Sequence, residues 1–553
     1  MTTFDREVDV VVVGSGAAAN AAAVGAVNAG ASVVMVEKAE QTGGTTAKSS
    51  GAYWIPNNAF LRSHGLDDPR EDALRLMARL SYPSVYDPDA PSLGLNTRHY
   101  ELLAAFYDNG SDVIDEMASI GALRSMQQPL FGDQVGDVDW AIPEYHAELP
   151  ENKAPYGRTL LPDFDLYSGV LGGQEIVNQC QAYLTAHGVE VITGRGVNAI
   201  ETDGSGRVIG IGAEGSAGAI GIGARRAVVF GSGGFTHDRD KALGYLRGPI
   251  FGGCAVPTNT GDLIGMAGAL GAELGNMANA FWSQSALEPT LDNAAVGAFE
   301  DIFIPFGDSM IIVNKRGERI GNEKVVYQER TQSHFVFDPF RNEYPNLVQF
   351  MVFDSAVKDY DQWHMYRYPV PEAGQTAPWL ISGDTLEELT TNIAAKLTTI
   401  GKRLGVSSRI GPSVRLADDF TANLRTAIAR FDQHAESGVD TDFHRGSTPI
   451  QLSWGSVPRP DSDRKNTTMR PFAASGPYYC VLLCGGTLDT CGGPITDPSG
   501  HILRHGGSPI EGLFGAGNCV ASPTGEAYWS AGSTIGPGLT FGYRAGQAAA
   551  ARQ

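Results

Sequence analysis

Gly14-Ser15-Gly16-Ala17-Ala18-Ala19 sets small residues in a G-x-G-x-x-A spacing, and Glu37 follows at the end of the next apolar run. This pattern can hold a pyrophosphate. Gly14 permits a tight turn, Gly16 lets the backbone approach the phosphates, and Ala19 is small enough for a helix to pack on a strand. A carboxylate at Glu37 can accept hydrogen bonds from adenosine ribose hydroxyls. The elements that must position these residues surround them. Residues 8–13 are an apolar, β-branched run that reads as a buried parallel strand. The Ala-rich stretch up to Gly30 predicts a helix whose first amides and dipole face the phosphates. Residues 31–36 predict a second strand, delivering Glu37. A lone G-x-G-x-x-A is weak; the strand–turn–helix–strand–carboxylate order around it is specific.

Three further features favour FAD over NAD. Gly43-Gly44-Thr45-Thr46 follows the ribose carboxylate and offers backbone and hydroxyls to a second phosphate or to the isoalloxazine. Residues 227–230 are another apolar run, entering Gly231-Ser232-Gly233-Gly234. Residues 512–518, ending in Gly517-Asn518, predict a strand with small residues placed to cover a flavin. Glycine clusters at beginning, middle and end imply one nucleotide domain interrupted by an insertion.

Composition bounds the rest. A chain of 553 residues, 42% hydrophobic, has room for more than one core, so two domains are expected. A formal charge of -21 would repel the phosphates of nucleic acid and anionic lipid, which argues against a polyanionic partner. Cys480, Cys484 and Cys491 lie close together but lack the paired Cys-x-x-Cys or Cys/His spacing of zinc sites, so no metal is expected. With no apolar run of membrane-spanning length and no basic leader region, a cytoplasmic location without an integral membrane segment is the expectation.

Residues 10–16, Glu37-Lys38 and Thr42-Gly43-Gly44-Thr45-Thr46-Ala47-Lys48-Ser49-Ser50-Gly51 resemble the fumarate reductase/succinate dehydrogenase flavoprotein superfamily. Within it, Trp54-Ile55-Pro56-Asn57-Asn58 and Thr534-Ile535-Gly536-Pro537-Gly538-Leu539-Thr540-Phe541-Gly542 are similar to the 3-ketosteroid dehydrogenase branch, the Δ1 type in particular. The resemblance covers effectively the whole chain. It implies an α/β fold in which an FAD-binding, Rossmann-like domain of the glutathione-reductase type carries an inserted α+β catalytic domain. The insertion is expected at residues 291–476, between FAD-binding parts at 1–290 and 477–553. FAD contacts are implied for Gly14, Ser15, Gly16, Ala18, Ala19, Glu37 and Lys38 in the first unit, and for Gly43, Gly44, Thr45, Thr46, Ser50 and Gly51 in the second. Gly233, Gly517, Asn518, Thr534 and Ile535 complete the set. No histidine occupies 43–51, where covalent relatives attach their flavin, so non-covalent FAD is expected.

Removing hydrogen beside a ketone requires a base for the α C–H, a donor for the carbonyl oxygen and a hydride acceptor at flavin N5. The resemblance assigns the first two. In Glu526-Ala527-Tyr528-Trp529-Ser530-Ala531-Gly532-Ser533-Thr534, the Tyr528 hydroxyl and the Gly532 amide would bind the substrate's 3-carbonyl. Tyr327, downstream of Asn314-Lys315-Arg316-Gly317-Glu318-Arg319-Ile320-Gly321-Asn322-Glu323, would abstract the C2 proton, as phenolate or through a relay. Tyr145, in Tyr145-His146-Ala147-Glu148-Leu149-Pro150, would assist. A phenol and an amide make an oxyanion site without a buried charge. A phenol with a pKa near 10 is a poor base unless a neighbour lowers that value or shares the proton. The chain has 19 tyrosines, so motif position rather than residue type singles out these three.

The chain departs from its relatives in carrying Tyr528-Trp529-Ser530 where they usually have Tyr-Pro-Gly, and Trp529 is expected to narrow or redirect the substrate cleft. Trp54, Trp363 and Trp529 are all candidates for a cleft wall, with ordinary core packing as the alternative for each. Arg158 reads as structural. The implied activity is FAD-dependent Δ1-desaturation of a hydrophobic 3-ketosteroid, with an external electron acceptor of undefined identity. Two alternatives stand beside it: a Δ4-(5α) dehydrogenase, and fumarate-reductase-like reduction of an α,β-unsaturated carboxylate. The last needs converging arginines and histidines, for which Arg319, Arg330 and Arg367 are available.

Overall fold

The computed structural model describes residues 4–128, 141–293, 295–297, 301–404, 411–459 and 464–552. Its first layer is an eight-stranded sheet whose main path runs His501–Leu503, Pro509–Gly515, Gly218–Phe230, Arg6–Val13, Val33–Val36, Glu190–Ile192. Arg6–Val13 has parallel neighbours on both sides, Val10 lying opposite Val33 and opposite Ala227. Pro509–Gly515 joins in parallel too, Leu513 opposite Val228. Central parallel strands are covered on both faces, which is why residues 10–13 and 33–36 are unbroken apolar runs rather than alternating ones. The predicted strands and the helix between them stand, and the three glycine clusters all sit at the ends of strands in this one sheet.

The helix that follows the glycine turn, Ala17–Asn28, packs on the C-terminal helix Ile535–Ala550. A Cβ on Gly542 would lie 2.3 Å from the Ala18 carbonyl oxygen, and one on Gly25 would lie 2.2 Å from that of Tyr543. The two helices therefore touch backbone to backbone, and the alanines of the first are the small face of that contact.

A second sheet of five antiparallel strands contains Met310–Val313, Val348–Asp354 and Ile381–Gly383, together with the strand before the expected insertion, Ala280–Ala286, and the strand after it, Tyr478–Thr490. The helix Leu386–Arg403 covers it with Leu386, Leu389, Ile393, Leu397 and Ile400, one face at helical spacing. Cys480 and Cys484 are buried in the long strand of this sheet. Among the described residues no helix is long and apolar enough to cross a membrane.

A small third sheet is formed by Tyr53–Trp54, Thr159–Pro162 and Ser125–Gln127, in that order. The Trp54 amide donates to the Gly532 carbonyl at 3.1 Å, tying this sheet to the loop of Tyr528. Arg158 is indeed structural. It is fully buried, donates to both oxygens of the equally buried Asp68 at 2.7 and 2.9 Å, and holds Asn152 Oδ1 and the Ala154 carbonyl at 2.7 and 2.8 Å. These contacts anchor the segment that carries Tyr145. Arg158→Met leaves a buried carboxylate without its cation, and a loss of about 3–5 kcal/mol is expected, read as a lower urea midpoint at unchanged slope.

Candidate active site

A single cavity of about 570 Å³ is lined by Gly14, Ser15, Gly16 and Glu37 and also by Tyr145, Tyr327, Tyr528 and Gly532, so the nucleotide motif and the three phenols face one continuous space. At the nucleotide motif, Gly14 adopts φ +103°, and a Cβ there would lie 2.5 Å from the Gly231 carbonyl oxygen. The first and middle glycine turns thus interlock. Asn20 donates to the Ser15 carbonyl at 2.6 Å, fixing the turn that presents the helix amides to the cavity. Glu37 accepts from the Ser15 hydroxyl at 2.6 Å and from the Ala39 amide at 2.8 Å, which orients its carboxylate at the cavity wall with lone pairs to spare for ribose hydroxyls. Lys38 is turned to Thr260, at 2.7 Å, and Asp262.

The second cluster is placed by its hydroxyls. Thr46 Oγ1 accepts from the Ala17 amide at 3.0 Å, and Thr45 Oγ1 from the Val256 amide at 3.1 Å. Gly44, Thr45, Thr46, Ser50, Gly233, Gly517, Asn518, Thr534 and Ile535 all line the cavity, as do Ala18 and Lys38. Ala19, Gly43 and Gly51 do not. Ala19 packs against Gly231, where a Cβ would meet its amide at 2.7 Å. Gly43 donates its amide to Ser15 Oγ at 2.8 Å. Gly51 abuts Gly172, whose carbonyl carbon would lie 2.2 Å from a Cβ on Gly51. These three build the cradle from behind. Its open space, two helix N-termini (Ala17–Asn28 and Ile535–Ala550) and the ribose carboxylate fit a dinucleotide with an extended ring system.

The three tyrosines converge. Tyr145 and Tyr327 bring their hydroxyls to 3.0 Å, and the rings of Tyr327 and Tyr528 meet edge to face at 5.4 Å. The Tyr528 hydroxyl is flanked by the hydroxyls of Tyr327 and Thr534 and by the Gly532 amide, all of which favour its ionised form, although burial keeps its pKa above the ordinary phenol range. Gly532 sits at φ +93°, where a Cβ would strike Tyr53 Cα at 2.5 Å, so only glycine can present its amide there. Burial first, and then the neighbouring phenol oxygens, hold Tyr327 and Tyr145 well above the ordinary range. A standing phenolate base is therefore disfavoured, and of the two routes expected for Tyr327 the geometry suits the relay.

Trp529 does not narrow the cleft. It is 2% exposed, outside the cavity lining, donates from Nε1 to Ser81 Oγ at 2.8 Å and packs on Trp54 and Phe106. Its neighbour Ser530 accepts from the Tyr145 amide at 3.3 Å, so this departure from Tyr-Pro-Gly ties the two tyrosine loops together. Trp54 is buried behind the site, donating to Glu144 at 2.7 Å, and Trp363 is 77% exposed; neither lines the cavity. The apolar wall comes instead from Leu161, Phe303, Tyr366 and Trp454.

Other lining residues escaped the sequence reading. Asp489, its pKa raised by burial, accepts from Gly234, Thr236, Asn259 and Asn518 and so sets two asparagines at the cavity. Asp301 lines it with a pKa pushed up to about 6 by burial. Gly172-Gly173 was the overlooked signal: a glycine pair opening a helix, where a Cβ on Gly173 would lie 1.8 Å from the Thr46 carbonyl oxygen.

A parallel dinucleotide sheet whose cavity opens onto an apolar chamber of phenols defines a flavoprotein. The chain belongs to the FAD binding domain family, whose profile matches residues 9–535, and FAD is its cofactor. It is 31% identical to a 3-oxosteroid 1-dehydrogenase from Mycolicibacterium smegmatis, over 98% of this chain and 96% of that one. It is also 31% identical to a 4-oxocyclohexanecarboxylate 2-dehydrogenase from Sinomonas cyclohexanicum, over 98% and 92%. Among solved structures, the 3-ketosteroid delta1-dehydrogenase from Sterolibacterium denitrificans, in complex with 1,4-androstadiene-3,17-dione, matches with a TM-score of 0.78 at 25% identity, covering 99% of this chain and 100% of that one.

Proposed function

We propose that this protein is an FAD-dependent oxidoreductase that desaturates a 3-ketosteroid at C1–C2. The observation that carries the reading is the convergence of Tyr327, Tyr528 and the Gly532 amide on an apolar chamber continuous with the FAD cradle. FAD, when bound, supplies the two-electron acceptor. The residues proposed to hold it are Gly14, Ser15, Gly16, Ala18, Glu37, Lys38, Gly44, Thr45, Thr46, Ser50, Gly233, Gly517, Asn518, Thr534 and Ile535, with Ala19, Gly43 and Gly51 supporting them from behind, without a covalent link. Tyr528 and the Gly532 amide receive the ketone oxygen and stabilise its negative charge as the α C–H ionises. Tyr327 takes that proton, handing its own to Tyr145. The apolar wall excludes water from the enolate. The division into a cofactor unit, 1–290 and 477–553, and a substrate unit, 291–476, belongs to this proposal, as does a cytoplasmic site of action.

Support for a steroid is threefold: the relatives named for that activity, the steroid-complexed structural neighbour, and the apolar residues around the phenols. A single-ring 4-oxocyclohexanecarboxylate is a second reading, favoured by equal identity to the dehydrogenase named for it. Arg319, Arg330 and Arg367 are absent from the cavity lining; Arg319 is held by Glu323 and Asp440, Arg330 by Gln284 and backbone carbonyls, and Arg367 by backbone carbonyls. Nothing in their placement favours a dicarboxylate.

Anaerobic mixing with a 4-ene-3-ketosteroid is expected to bleach the oxidised flavin, and product analysis to show a 1,4-diene. Bleaching by the cyclohexanone acid alone would replace the steroid reading with the second one. In Tyr528→Phe, turnover is expected to fall by about 10²–10³-fold with FAD retained, since the ring still packs and only the oxyanion donor is gone.

A further inference from the structure

Tyr366 lines the cavity and packs against the phenol cluster, yet no step of the proposed reaction uses it. Its place is fixed from both sides. The Tyr366 amide donates to Nδ1 of His364 at 3.1 Å, which leaves Nε2 of that ring to donate to the Ser456 carbonyl at 3.0 Å. On the other side the buried Arg367 guanidinium gathers the carbonyls of Tyr360, Pro371 and Lys358 at 2.6, 2.9 and 3.1 Å. The Tyr366 ring meets Trp454 at 5.0 Å and Phe303 at 6.2 Å, and those two rings meet Tyr145 at 5.3 Å and Tyr327 at 5.2 Å. The rings against Tyr528 are instead those of Tyr145, Phe281 and Tyr327. Tyr366 thus stands one ring beyond the phenol pair, on the side away from the group proposed to receive the ketone.

Its hydroxyl sets it apart from the other phenols of the chamber. Those of Tyr145, Tyr327 and Tyr528 have protein partners. The Tyr366 hydroxyl bonds to no group among the described residues, and it is not one of the polar atoms sealed off inside the protein. Burial holds its pKa well above the ordinary phenol range, so it stays protonated and can donate. It is also among the groups that raise Tyr145, as expected of two phenol oxygens within electrostatic reach across one chamber. A tyrosine in an apolar wall ordinarily finds a partner for its hydroxyl. Around this one the wall is Phe303 and Trp454, and the partner left to it is the molecule that fills the chamber.

We propose that the Tyr366 hydroxyl is a specificity-determining donor, which binds an acceptor oxygen that the substrate carries on the side away from its reacting ketone. The inference rests on the reading of the chamber as the ketone site. It narrows the substrate class to ketones with a second oxygen. A carbonyl on the far ring of a steroid and the carboxylate of a single-ring oxo acid both offer that chemistry. A hold at two points also sets the direction in which the molecule lies. With one oxygen at Tyr528 and the Gly532 amide and the other at Tyr366, the α C–H is kept against Tyr327. Apolar walls alone give no such direction, because dispersion contacts do not tell one end of a flat hydrocarbon from the other. Tyr366 makes and breaks no covalent bond.

The test compares FAD-loaded wild type and Tyr366→Phe on a 3,17-diketosteroid, on a 3-ketosteroid without oxygen at C17, and on 4-oxocyclohexanecarboxylate. In Y366F the KM of the diketone is expected to rise about two- to tenfold, the range for one neutral hydrogen bond, with its kcat unchanged. The KM of the steroid without the second oxygen should not move. If the chamber takes the oxo acid instead, the rise falls on that substrate and is larger, about ten- to hundredfold, because the acceptor is charged. The urea midpoint of Y366F should equal that of the wild type, since the hydroxyl has no protein partner to lose. KM values that stay unchanged throughout would overturn the proposal. So would a rise shared by both steroids with a lowered urea midpoint, which would make the hydroxyl a packing group. Failure of the underlying reading shows in the wild type, whose flavin no ketone would then bleach, and the inference falls with it; failure of the inference alone shows only in the variant.

Discussion

Tyr327→Phe is expected to slow flavin reduction by ketosteroid about 10²–10⁴-fold, the range for losing a positioned acid–base group, with FAD and substrate still bound. The ring itself is structural. It is 1% exposed and meets Tyr145, Phe303 and Tyr528 edge to face at 5.8, 5.2 and 5.4 Å, contacts that phenylalanine keeps. What disappears is the oxygen between two other phenols. Tyr145 then loses its partner at 3.0 Å, and an unmet buried hydroxyl costs about 1–3 kcal/mol, small enough for a folded, yellow protein. Stopped-flow bleaching at saturating steroid, alongside the flavin-to-protein absorbance ratio, checks both halves. A rate within a few-fold of wild type would remove Tyr327 from the reaction.

Gly14→Val is expected to yield protein that purifies with little or no flavin. The native φ of +103° lies where a β-branched residue is strained, and the new Cβ would fall 2.5 Å from the Gly231 carbonyl oxygen and 2.9 Å from its carbon. Neither atom is a flexible side-chain end, so the two glycine turns must part. Strain of about 1–3 kcal/mol, at about 1.4 kcal/mol per tenfold in affinity, already predicts roughly ten- to hundredfold weaker FAD binding before the clash is counted. Gly30→Asn is the control: φ there is +81°, but a Cβ would meet nothing within 4 Å, so flavin uptake should persist. Titration of apoprotein with FAD, followed by quenching of flavin fluorescence, separates the two.

The cofactor half of the site was legible because its chemistry is local. A turn, a helix start and a carboxylate must follow one another within one strand–helix–strand unit, and that order is written along the chain from Gly14 to Glu37. The phenols were legible only through family motifs, since nothing in the spacing of residues 145, 327 and 528 says that they meet. The apolar wall was not legible at all. Phe303, Tyr366 and Trp454 are required only to be large and apolar, a demand that any core position makes. Trp529 shows the limit most clearly: Tyr528 faces the substrate chamber while the residue after it turns into the core against Phe106, and residue types do not reveal which way each points.

The close seating of the C-terminal helix on the first helix has a bearing on how the protein is made. Gly542 and Gly546 rest on the backbone of Ala18 and Ala22, and Pro509–Gly515 completes the sheet beside Gly218–Phe230. A nascent chain therefore exposes its phosphate-binding turn hundreds of residues before the lid that closes over it has left the ribosome. Flavin capture is then a late event of biosynthesis, waiting on the seating of the last helix against the first.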